Sequence, residues 1–286
     1  MAGRVEPRRT AERMVRGLLA ELPRENGWTI AEQAGDASPA VMQSFLSRGA
    51  WDHDGVRDVV RDTGVEHLGG GGTLVPDETG DVKEGVHTVG VQRHYSGTAG
   101  RIENTQVTVC AIWATPAGAA FVDRELYVPR VWADDPARCA AAGLPGDLEF
   151  ATQPALALRL VERPLAAGHR PGWVTADEVY GSDPMLRAGL EQHRIGCVLA
   201  TARSMRFSIG PARIRVDDLA AGLPEYCWQT RSAGAGAKDR AGISGRTCTW
   251  TSPNRRSAGG ATYSSGAARP PARARSTAAG PQPRCR

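Results

Sequence analysis

Two aspartates stand where short apolar runs of the sequence end. Asp77 closes the run TLVPD, and Asp177 lies in WVTADEVYGSD, followed by a glycine and a proline-started helix signal. An acid at the end of a buried strand is costly unless a bound partner compensates its charge. Two converging carboxylates suit a hard cation that prefers oxygen ligands, such as Mg²⁺ or Mn²⁺. Such ions promote phosphodiester cleavage, whereas two unrelated surface carboxylates would show the same spacing.

The elements that must position both acids alternate in type after residue 73. Runs rich in Val, Ile, Phe, Tyr and Trp predict strands, and the acid–proline pattern at Asp135 and Asp183 predicts helix starts. Three strands precede the first long helix, which indicates an antiparallel ribbon, and later strands alternate with helices. The sequence therefore predicts an α/β fold with a mixed sheet and flanking helices. The predicted strands are 73–80, 107–115, 120–128, 172–181 and 195–202, and the long helix is 153–168.

The first 68 residues predict a helical N-terminal domain. Apolar residues recur at helical spacing over 11–22. The stretch 29–48 has the helix–glycine turn–helix pattern of a DNA-binding module, and a plain helical bundle explains the same pattern. The predicted helix starts are Thr29 with Glu32 as a capping box, Ser38 before Pro39, and either Asp52 or Asp54.

A run of four glycines, 69–72, separates these helices from the strands. A phosphate-binding loop would need a Gly-Lys-Ser/Thr ending, which this run lacks. The run is therefore predicted to be a flexible linker.

The charge of the chain is unevenly distributed. The 286 residues hold 35 basic and 31 acidic side chains, a net charge of +4, but 240–286 contain nine arginines and no acid. The remaining 239 residues hold 26 basic and 31 acidic side chains, a net charge of −5. Any affinity of the folded part for nucleic acid must therefore come from local basic patches.

Cysteine spacing and hydropathy exclude several classes of protein. The six cysteines are scattered, without the Cys-x-x-Cys pairs of a zinc site and in a chain too long to depend on disulfides. No apolar run approaches the roughly 18 residues of a membrane span, and no signal peptide precedes the helices. The sequence predicts a soluble cytoplasmic protein with no membrane partner, associated with the nucleoid when bound to DNA.

Three stretches of the sequence resemble the insertion-sequence transposases of the DDE superfamily, whose catalytic domain is RNase H-like. The resemblance extends over roughly 4–238, and its first and third stretches are specific. The stretches are LVPDETGDVKEGVHTVGVQRHYSGTAGRIENTQVTV (74–109), FVDRELYVPRVWADDPARCAAAGLP (121–145) and WVTADEVYGSDPMLRAGLE (173–191).

The resemblance implies a role for each matching residue. Asp77, before Glu-Thr-Gly, and Asp177, in the DEVYG block, would be the catalytic acids and the ligands of Mg²⁺ or Mn²⁺. Gln92, Arg93 and Arg101, in the GVQRHYSGTAGRIENTQ segment, would be DNA contacts, or parts of an ordered loop tied to the sheet. The partners implied are transposon-end and target DNA, with a homo-oligomer possible.

Two features depart from the family pattern. Pro76 directly precedes Asp77, where a fully apolar strand is usual, and proline removes a ladder donor. The family's third acid, a glutamate on a later helix, has no counterpart here, because the resemblance stops near residue 238 and only Asp239 follows Glu225 among the acids. The sequence thus predicts a truncated or frameshifted chain with a helical domain over 1–68, an incomplete catalytic core over 73–238 and a disordered Arg-rich tail over 239–286.

Three functions are compatible with this pattern. The first is metal-dependent DNA cleavage and strand transfer, impaired by the missing acid. The second is a non-catalytic transposase remnant that binds DNA. The third, a two-carboxylate glycosidase, is disfavoured because Tyr180 is the only aromatic residue close to either acid in the sequence. Glu178, Asp183 and Glu225 were the candidates to replace the third acid: Glu178 would point to the opposite face from Asp177, and Asp183 would cap a helix.

Overall fold

A computed structural model describes residues 5–49, 52–96, 100–209 and 211–227, together with the backbone of strands over 229–236, 239–250 and 261–265. The chain divides into two compact units, Met1–Val174 and Thr175–Arg286. Among the described helices, none combines the length and the apolar character needed to cross a membrane.

The first unit contains seven described helices and four complete strands. Its elements are α1 Val5–Leu18, α2 Gly27–Gln33, α3 Ala40–Arg48, α4 His53–Leu68, β1 Thr73–Val82, β2 Gln92–Ser96, β3 Arg101–Thr115, β4 Gly118–Tyr127, α5 Arg130–Ala133, α6 Pro136–Ala141 and α7 Gln153–Ala166. Strand β5, Trp173–Ala176, begins in this unit and ends in the next.

The second unit continues the alternation of helices and strands. Its elements are α8 Glu178–Gly181, α9 Pro184–Gln192, β6 Gly196–Leu199, β7 Arg206–Ile209, β8 Ala212–Arg215, α10 Val216–Ala221, a 3₁₀ turn Glu225–Cys227, β9 Gln229–Gly236, β10 Asp239–Trp250 and β11 Ala261–Ser265.

The sheet of the first unit is built around β3, the longest strand. Strand β1 runs antiparallel along one side of β3, and β2 and β4 pair one after the other along its opposite side. Strand β1 also pairs in parallel with the start of β5, Thr73 with Trp173 and Leu74 with Val174. The predicted α/β fold with a mixed sheet and flanking helices is therefore confirmed.

The main core lies between this sheet and α7. Alternate residues of β3 are fully buried on one face, including Val109, Ala111 and Trp113. Helix α7 packs against β1, β3 and β4 and buries Leu156 and Leu160. Burying each large side chain contributes roughly 1.5–3 kcal/mol to the free energy of folding. Packing on this face therefore stabilises the strands that carry the candidate site.

The three N-terminal helices have a small core of their own. Ile30, Ala31 and Met42 are buried together, with Met14 and Leu22 packed against them. The predicted helical character of this region is thus confirmed. The cluster is compatible with both a DNA-binding module and a plain bundle.

The helix starts of this region differ in detail from the prediction. The capping box of α2 is formed by Asn26 and Thr29, with Asn26 at the N-cap, so Thr29 takes the role that the sequence pattern had given to Glu32. Pro39, not Ser38, occupies the N-cap of α3 and makes no side-chain bond there. The sequence pattern of Thr followed by Glu predicts a cap at Thr29, whereas in α2 the side chain that reaches the free N–H groups is that of Asn26.

Helix α4 packs against the sheet although it precedes the glycine run. Asp52 caps it as predicted, accepting a hydrogen bond from the Gly55 N–H at 2.8 Å. The helix contacts β4 and β3, and the Arg124 guanidinium donates to the His53 carbonyl oxygen at 3.4 Å. The predicted domain boundary near residue 68 stays a prediction. Helix α4 precedes that boundary in the chain but packs against the sheet that follows it.

Both ends of the glycine run make hydrogen bonds to distant residues. The Trp113 indole N–H donates to the Gly69 carbonyl oxygen at 3.0 Å, and the Gly172 N–H donates to the Gly72 carbonyl oxygen at 2.9 Å. A Cβ on Gly72 would lie 2.4 Å from the Trp113 ring nitrogen, whereas a Cβ on Gly69, Gly70 or Gly71 would have open space. Glycine permits this close approach of backbone to a side chain, and the linker prediction stays a prediction.

Substituting Gly72 is therefore expected to destabilise the protein. Gly72→Ala should lower the free energy of unfolding by roughly 1–3 kcal/mol, since an extra methyl group in a packed site forces neighbours apart. Gly70→Ala is the matched control, because a Cβ there has open space around it. Urea denaturation followed by Trp fluorescence measures both. Equal unfolding midpoints for the two variants would contradict the packed arrangement.

The second unit begins with a strand–helix–strand arrangement. The Thr175 hydroxyl donates to the Val198 carbonyl oxygen at 2.8 Å, and the Ala200 N–H donates to the Ala176 carbonyl oxygen at 2.9 Å. Helices α8 and α9 lie between β5 and β6 in the chain and contact β6. These contacts position Asp177 directly after β5.

Two described strands fall within the segment predicted to be a disordered tail. Strand β10 pairs with β9 and with β11, for example Thr247 with Gln229 and Cys248 with Tyr263. RTCTW and ATYSS contain the Thr, Tyr and Trp residues that favour strands, and the average composition of the segment does not reveal such short runs. Residues 251–260 and 266–286 lie outside the described residues, so the prediction for them stays a prediction.

Candidate metal and DNA site

Asp77 lies on the more open face of the first unit's sheet. It is an exposed residue of β1 between the buried Pro76 and the half-buried Glu78. One carboxylate oxygen, Oδ1, accepts a hydrogen bond from the Glu78 N–H at 2.9 Å. Among the described residues this is the one hydrogen bond of its carboxylate, and the residue as a whole is exposed.

Pro76 lies two residues beyond the parallel pairing of β1 with β5. The ladder between β1 and β5 comprises Thr73 and Leu74, while the antiparallel ladder between β1 and β3 continues through Pro76 to Val82. Proline has no N–H to donate. The strand therefore accommodates Pro76 while its pairing to β3 holds Asp77 opposite Cys110.

Asp177 is the N-cap of the short helix α8. Its backbone is extended, with φ −76° and ψ −169°, and its Oδ1 accepts a hydrogen bond from the Val179 N–H at 2.9 Å. An N-cap carboxylate satisfies a free N–H group of the first helical turn. One oxygen of Asp177 is thus held in place, as one oxygen of Asp77 is.

The structure explains the last two residues of the DEVYG block, Tyr180 and Gly181. Tyr180 is fully buried, and a Cβ on Gly181 would lie 1.9 Å from the Ala200 carbonyl oxygen. The Arg187 guanidinium donates to the Gly181 carbonyl oxygen at 2.7 Å. The block therefore fixes the short helix against β6 and, with it, the orientation of the Asp177 cap.

Asp77 is the first residue of a row that crosses three strands. Asp77 pairs with Cys110 on β3, and Cys110 pairs with Arg124 on β4. Directly opposed residues of antiparallel strands share one face of a sheet, and we call this the Asp77 face. Burial raises the pKa of the Cys110 thiol, the positive charge of Arg124 opposes that shift, and the negative charge of Asp77 adds to it. The three side chains are therefore close enough to interact electrostatically.

The GVQRHYSGTAGRIENTQ segment (90–106), which we call the hallmark segment, contains β2 and the start of β3, and these pair antiparallel. Gln92 and Arg93 belong to β2 and pair with Thr105 and Asn104 of β3. Arg93 is exposed and, by its pairing, shares the Asp77 face, whereas Gln92 is on the opposite face. Arg101 is exposed, and its Nε donates to Glu103 at 2.5 Å. Of the three predicted DNA contacts, Arg93 is the one that shares the Asp77 face, although its partner Asn104 and Cys110, the partner of Asp77, lie far apart along β3.

Two amide side chains of the hallmark segment hold the preceding loop and were not singled out from the sequence. The Asn104 amide donates to the carbonyl oxygens of Lys83 and Gly85 at 2.9 and 2.6 Å. The Gln106 amide donates to the Val89 carbonyl oxygen at 2.7 Å. These bonds attach the segment between β1 and β2 to β3, and no spacing in the sequence indicates which carbonyl groups they reach.

The comparison with known families decides the assignment. A family model described as DDE superfamily endonuclease matches residues 3–216, which is more than half of the chain. The chain belongs to this family. It is also 30% identical, over 167 residues, to a probable transposase for insertion sequence element IS701 from Microchaete diplosiphon. That alignment covers 58% of this chain and 41% of that protein, so the chain spans about two-fifths of the relative's length.

Membership of the DDE superfamily confirms the predicted resemblance to insertion-sequence transposases. Endonucleases of this superfamily use divalent metal ions, and transposases act on DNA. The matched region of the DDE endonuclease model contains both Asp77 and Asp177. Which residues of this chain hold a metal, and which ion, is a matter for proposal.

The candidates for a third DDE acid lie at a helix N-cap, in a first helical turn and at the start of a 3₁₀ turn. Asp183 caps α9 as predicted, accepting a hydrogen bond from the Leu186 N–H at 2.8 Å. Glu178 follows Asp177 in the first turn of α8, and Glu225 begins the 3₁₀ turn. Within the described part of the chain, no three or more His, Cys, Asp or Glu side chains gather as a metal-binding group.

Proposed function

We propose that this chain derives from a DDE transposase that cleaves and joins DNA strands with Mg²⁺ or Mn²⁺, and that Asp77 and Asp177 are its metal ligands. The single observation that carries the proposal is the family match, which includes both acids in their expected sequence contexts. The metal would supply Lewis-acid stabilisation of the phosphate and a lower pKa for the attacking hydroxyl or water.

The local geometry of each acid supports its proposed role as a ligand. Each carboxylate has one oxygen fixed by a neighbouring N–H group. Carboxylates oriented in this way lose little side-chain entropy when they bind a cation, and oxygen donors match the preference of Mg²⁺ and Mn²⁺.

We further propose that the chain by itself is catalytically impaired. The last acid in its sequence is Asp239, and residues 240–286 contain none. Two carboxylates hold a divalent ion more weakly than three, and strand transfer also requires the attacking oxygen to be aligned. DNA binding does not require the third acid, so a non-catalytic DNA-binding remnant is the second candidate function, favoured by that same acid-free segment.

The proposed partners follow from the placement of basic side chains. Arg93 is exposed on the Asp77 face, and Arg101 is exposed at the start of β3. Transposon-end and target DNA would contact these arginines and the N-terminal helices, with an affinity that decreases as salt rises. A homo-oligomer and association with the nucleoid are consistent with this role and stay proposals.

Metal binding tests the proposed ligands directly. Asp77→Asn and Asp177→Asn should each weaken Mn²⁺ binding by at least about tenfold, because losing a ligand costs no less than losing a residue that orients one. Asparagine keeps the hydrogen bonds to Glu78 and Val179, so folding is preserved. Electron paramagnetic resonance titration of Mn²⁺, with Mg²⁺ competition, measures the change.

The matched control for this titration is Asp134→Asn. Asp134 is an exposed acid at the end of α5, away from both candidate ligands in the chain. It should leave Mn²⁺ affinity unchanged. If all three variants bind Mn²⁺ equally well, Asp77 and Asp177 are not the ligands.

A further inference from the structure

A pocket of about 380 Å³ opens between α4 and the edge of the sheet in the first unit. Three of its lining residues, Cys110, Phe121 and Arg124, belong to β3 and β4 and share the Asp77 face by their pairing. Two of its apolar walls are Val56 and Val60 of α4. The pocket therefore begins one strand away from Asp77, at Cys110.

Apolar side chains line this pocket although they are accessible to solvent. Phe121 is 65% exposed and Val60 is 51% exposed, and both would gain by contact with a ligand. An exposed ring beside aliphatic walls suits a flat, partly apolar group such as a nucleobase, which stacks on aromatic side chains without regard to sequence.

Arg124 gives the pocket a positive charge at the end nearer Asp77. Within the described part of the chain, no carboxylate lies within ion-pair distance of Arg124, whose described contact is the His53 carbonyl oxygen at 3.4 Å. The other arginine of the lining, Arg57, is paired with Asp54 and Asp58. Arg124 is thus the lining cation with charge to offer an anion.

The row places Arg124 two strands away from Asp77. Neighbouring strands lie about 4.8 Å apart, so the backbones of Asp77 and Arg124 are separated by roughly 10 Å, with Cys110 between them. A phosphate bound by Arg124 would therefore lie on the same face of the sheet as the phosphate or hydroxyl held at Asp77.

We propose that this pocket holds one nucleotide of the DNA strand that is bound at Asp77. The base occupies the apolar space between Phe121 and the valines of α4, and Arg124 binds the adjoining phosphate. The assignment rests on the proposed function only in taking DNA as the ligand. It makes Arg124 a residue that positions the strand, and it needs no metal ion.

Cys110 provides a readout for this site that does not depend on catalysis. It is a half-buried free cysteine in the pocket wall, and Cys197 in the second unit is a free cysteine of similar exposure. In EDTA and at alkaline pH, a short single-stranded oligonucleotide at about ten times its Kd should slow alkylation of Cys110 by iodoacetamide about tenfold, because the site is then mostly occupied. Peptide mass spectrometry follows both cysteines, and Cys197 should react at an unchanged rate.

Variants and a modified ligand distinguish the two contacts. Arg124→Ala should abolish the protection and Arg124→Lys should keep part of it, whereas Arg159→Ala removes an exposed arginine from α7, on the opposite side of the sheet, and should keep all of it. An oligonucleotide of abasic sites should protect Cys110 far less than one with bases.

Three results would overturn the assignment: equal alkylation of Cys110 with and without DNA, full protection by the abasic strand, or full protection in Arg124→Ala. Failure of the Mn²⁺ titration would leave this protection intact. The two proposals can therefore fail separately.

Discussion

The purified chain is expected to bind transposon-end DNA and to cleave it at least about 10–100-fold more slowly than a DDE transposase with three metal-binding acids. That factor is what disturbing the surroundings of a metal ligand costs, so it is the smallest loss expected when a ligand is missing. Asp77 and Asp177 supply two carboxylates, and the segment after Asp239 supplies none. The measurement is a cleavage and strand-transfer assay with Mg²⁺ and with Mn²⁺.

Asp177→Ala is the informative comparison in that assay. If two acids alone cannot support turnover, the variant and the parent chain should both show only background cleavage, while both still retard DNA on a gel. Robust turnover by the parent that Asp177→Ala abolishes would mean that another residue supplies the third ligand. The proposal that the chain is catalytically impaired would then be wrong, although the proposed metal site at Asp177 would be supported.

The order of the elements could be predicted from the sequence because each has a local signal. The apolar alternation over 107–115 and the turn at 116–117 lead directly to β3 and β4. Asp135 and Asp183 precede short helices, as predicted, because acids and prolines are preferred at helix starts. These signals act within a few residues, so one sequence is enough to detect them. The strand predicted over 172–181 was too long, since β5 ends at Ala176 and Asp177 caps a short helix.

Strand β2 and the hydrogen bonds of the glycine run could not be predicted because their partners are distant in the sequence. QRHYS has little apolar alternation, and it is a strand because it pairs with Arg101–Thr105. The run at 69–72 accepts a hydrogen bond from Trp113, about 40 residues later. Long-range pairing overrides local preference in both cases.

The candidate site shows the same division between local and distant information. Asp77 and Asp177 were identified from their strand ends and from the family motif. The row from Asp77 through Cys110 to Arg124 depends on the register of three strands, and a bulge at Ala111 and Ile112 shifts that register on β4. A single-residue shift turns every side chain to the other face, so the sequence alone could not place Arg124 beside Asp77.

Asp123 was not singled out from the sequence, yet the structure buries it against arginines of two helices. Its side chain is 1% exposed, and its Oδ1 accepts a hydrogen bond from Arg163 of α7 at 2.8 Å and lies 3.5 Å from Nε of Arg57 of α4. Burial lowers the pKa of Arg57, but the hydrogen bond with Asp58 and the charge of Asp123 outweigh it, and the pKa is raised. Asp123 thus attaches both helices to the edge strand of the sheet.

Asp123→Ala should therefore lower the free energy of unfolding by roughly 1–3 kcal/mol, because Arg163 loses its buried acceptor, while Glu125 still faces Arg163 and Asp54 and Asp58 still face Arg57. Asp147→Ala, at an exposed acid of the same unit, should change it by no more than about 0.5 kcal/mol. Replacing Arg163 by Met in the Asp123→Ala background should recover part of the loss, since it removes a guanidinium that keeps Glu125 as its described partner. Urea denaturation measures all three. A loss below about 1 kcal/mol for Asp123→Ala would mean that Arg57 and Arg163 are as well solvated as the arginine of a surface ion pair. Apolar packing, and not Asp123, would then hold α4 and α7 on the strands that carry Asp77 and Arg124.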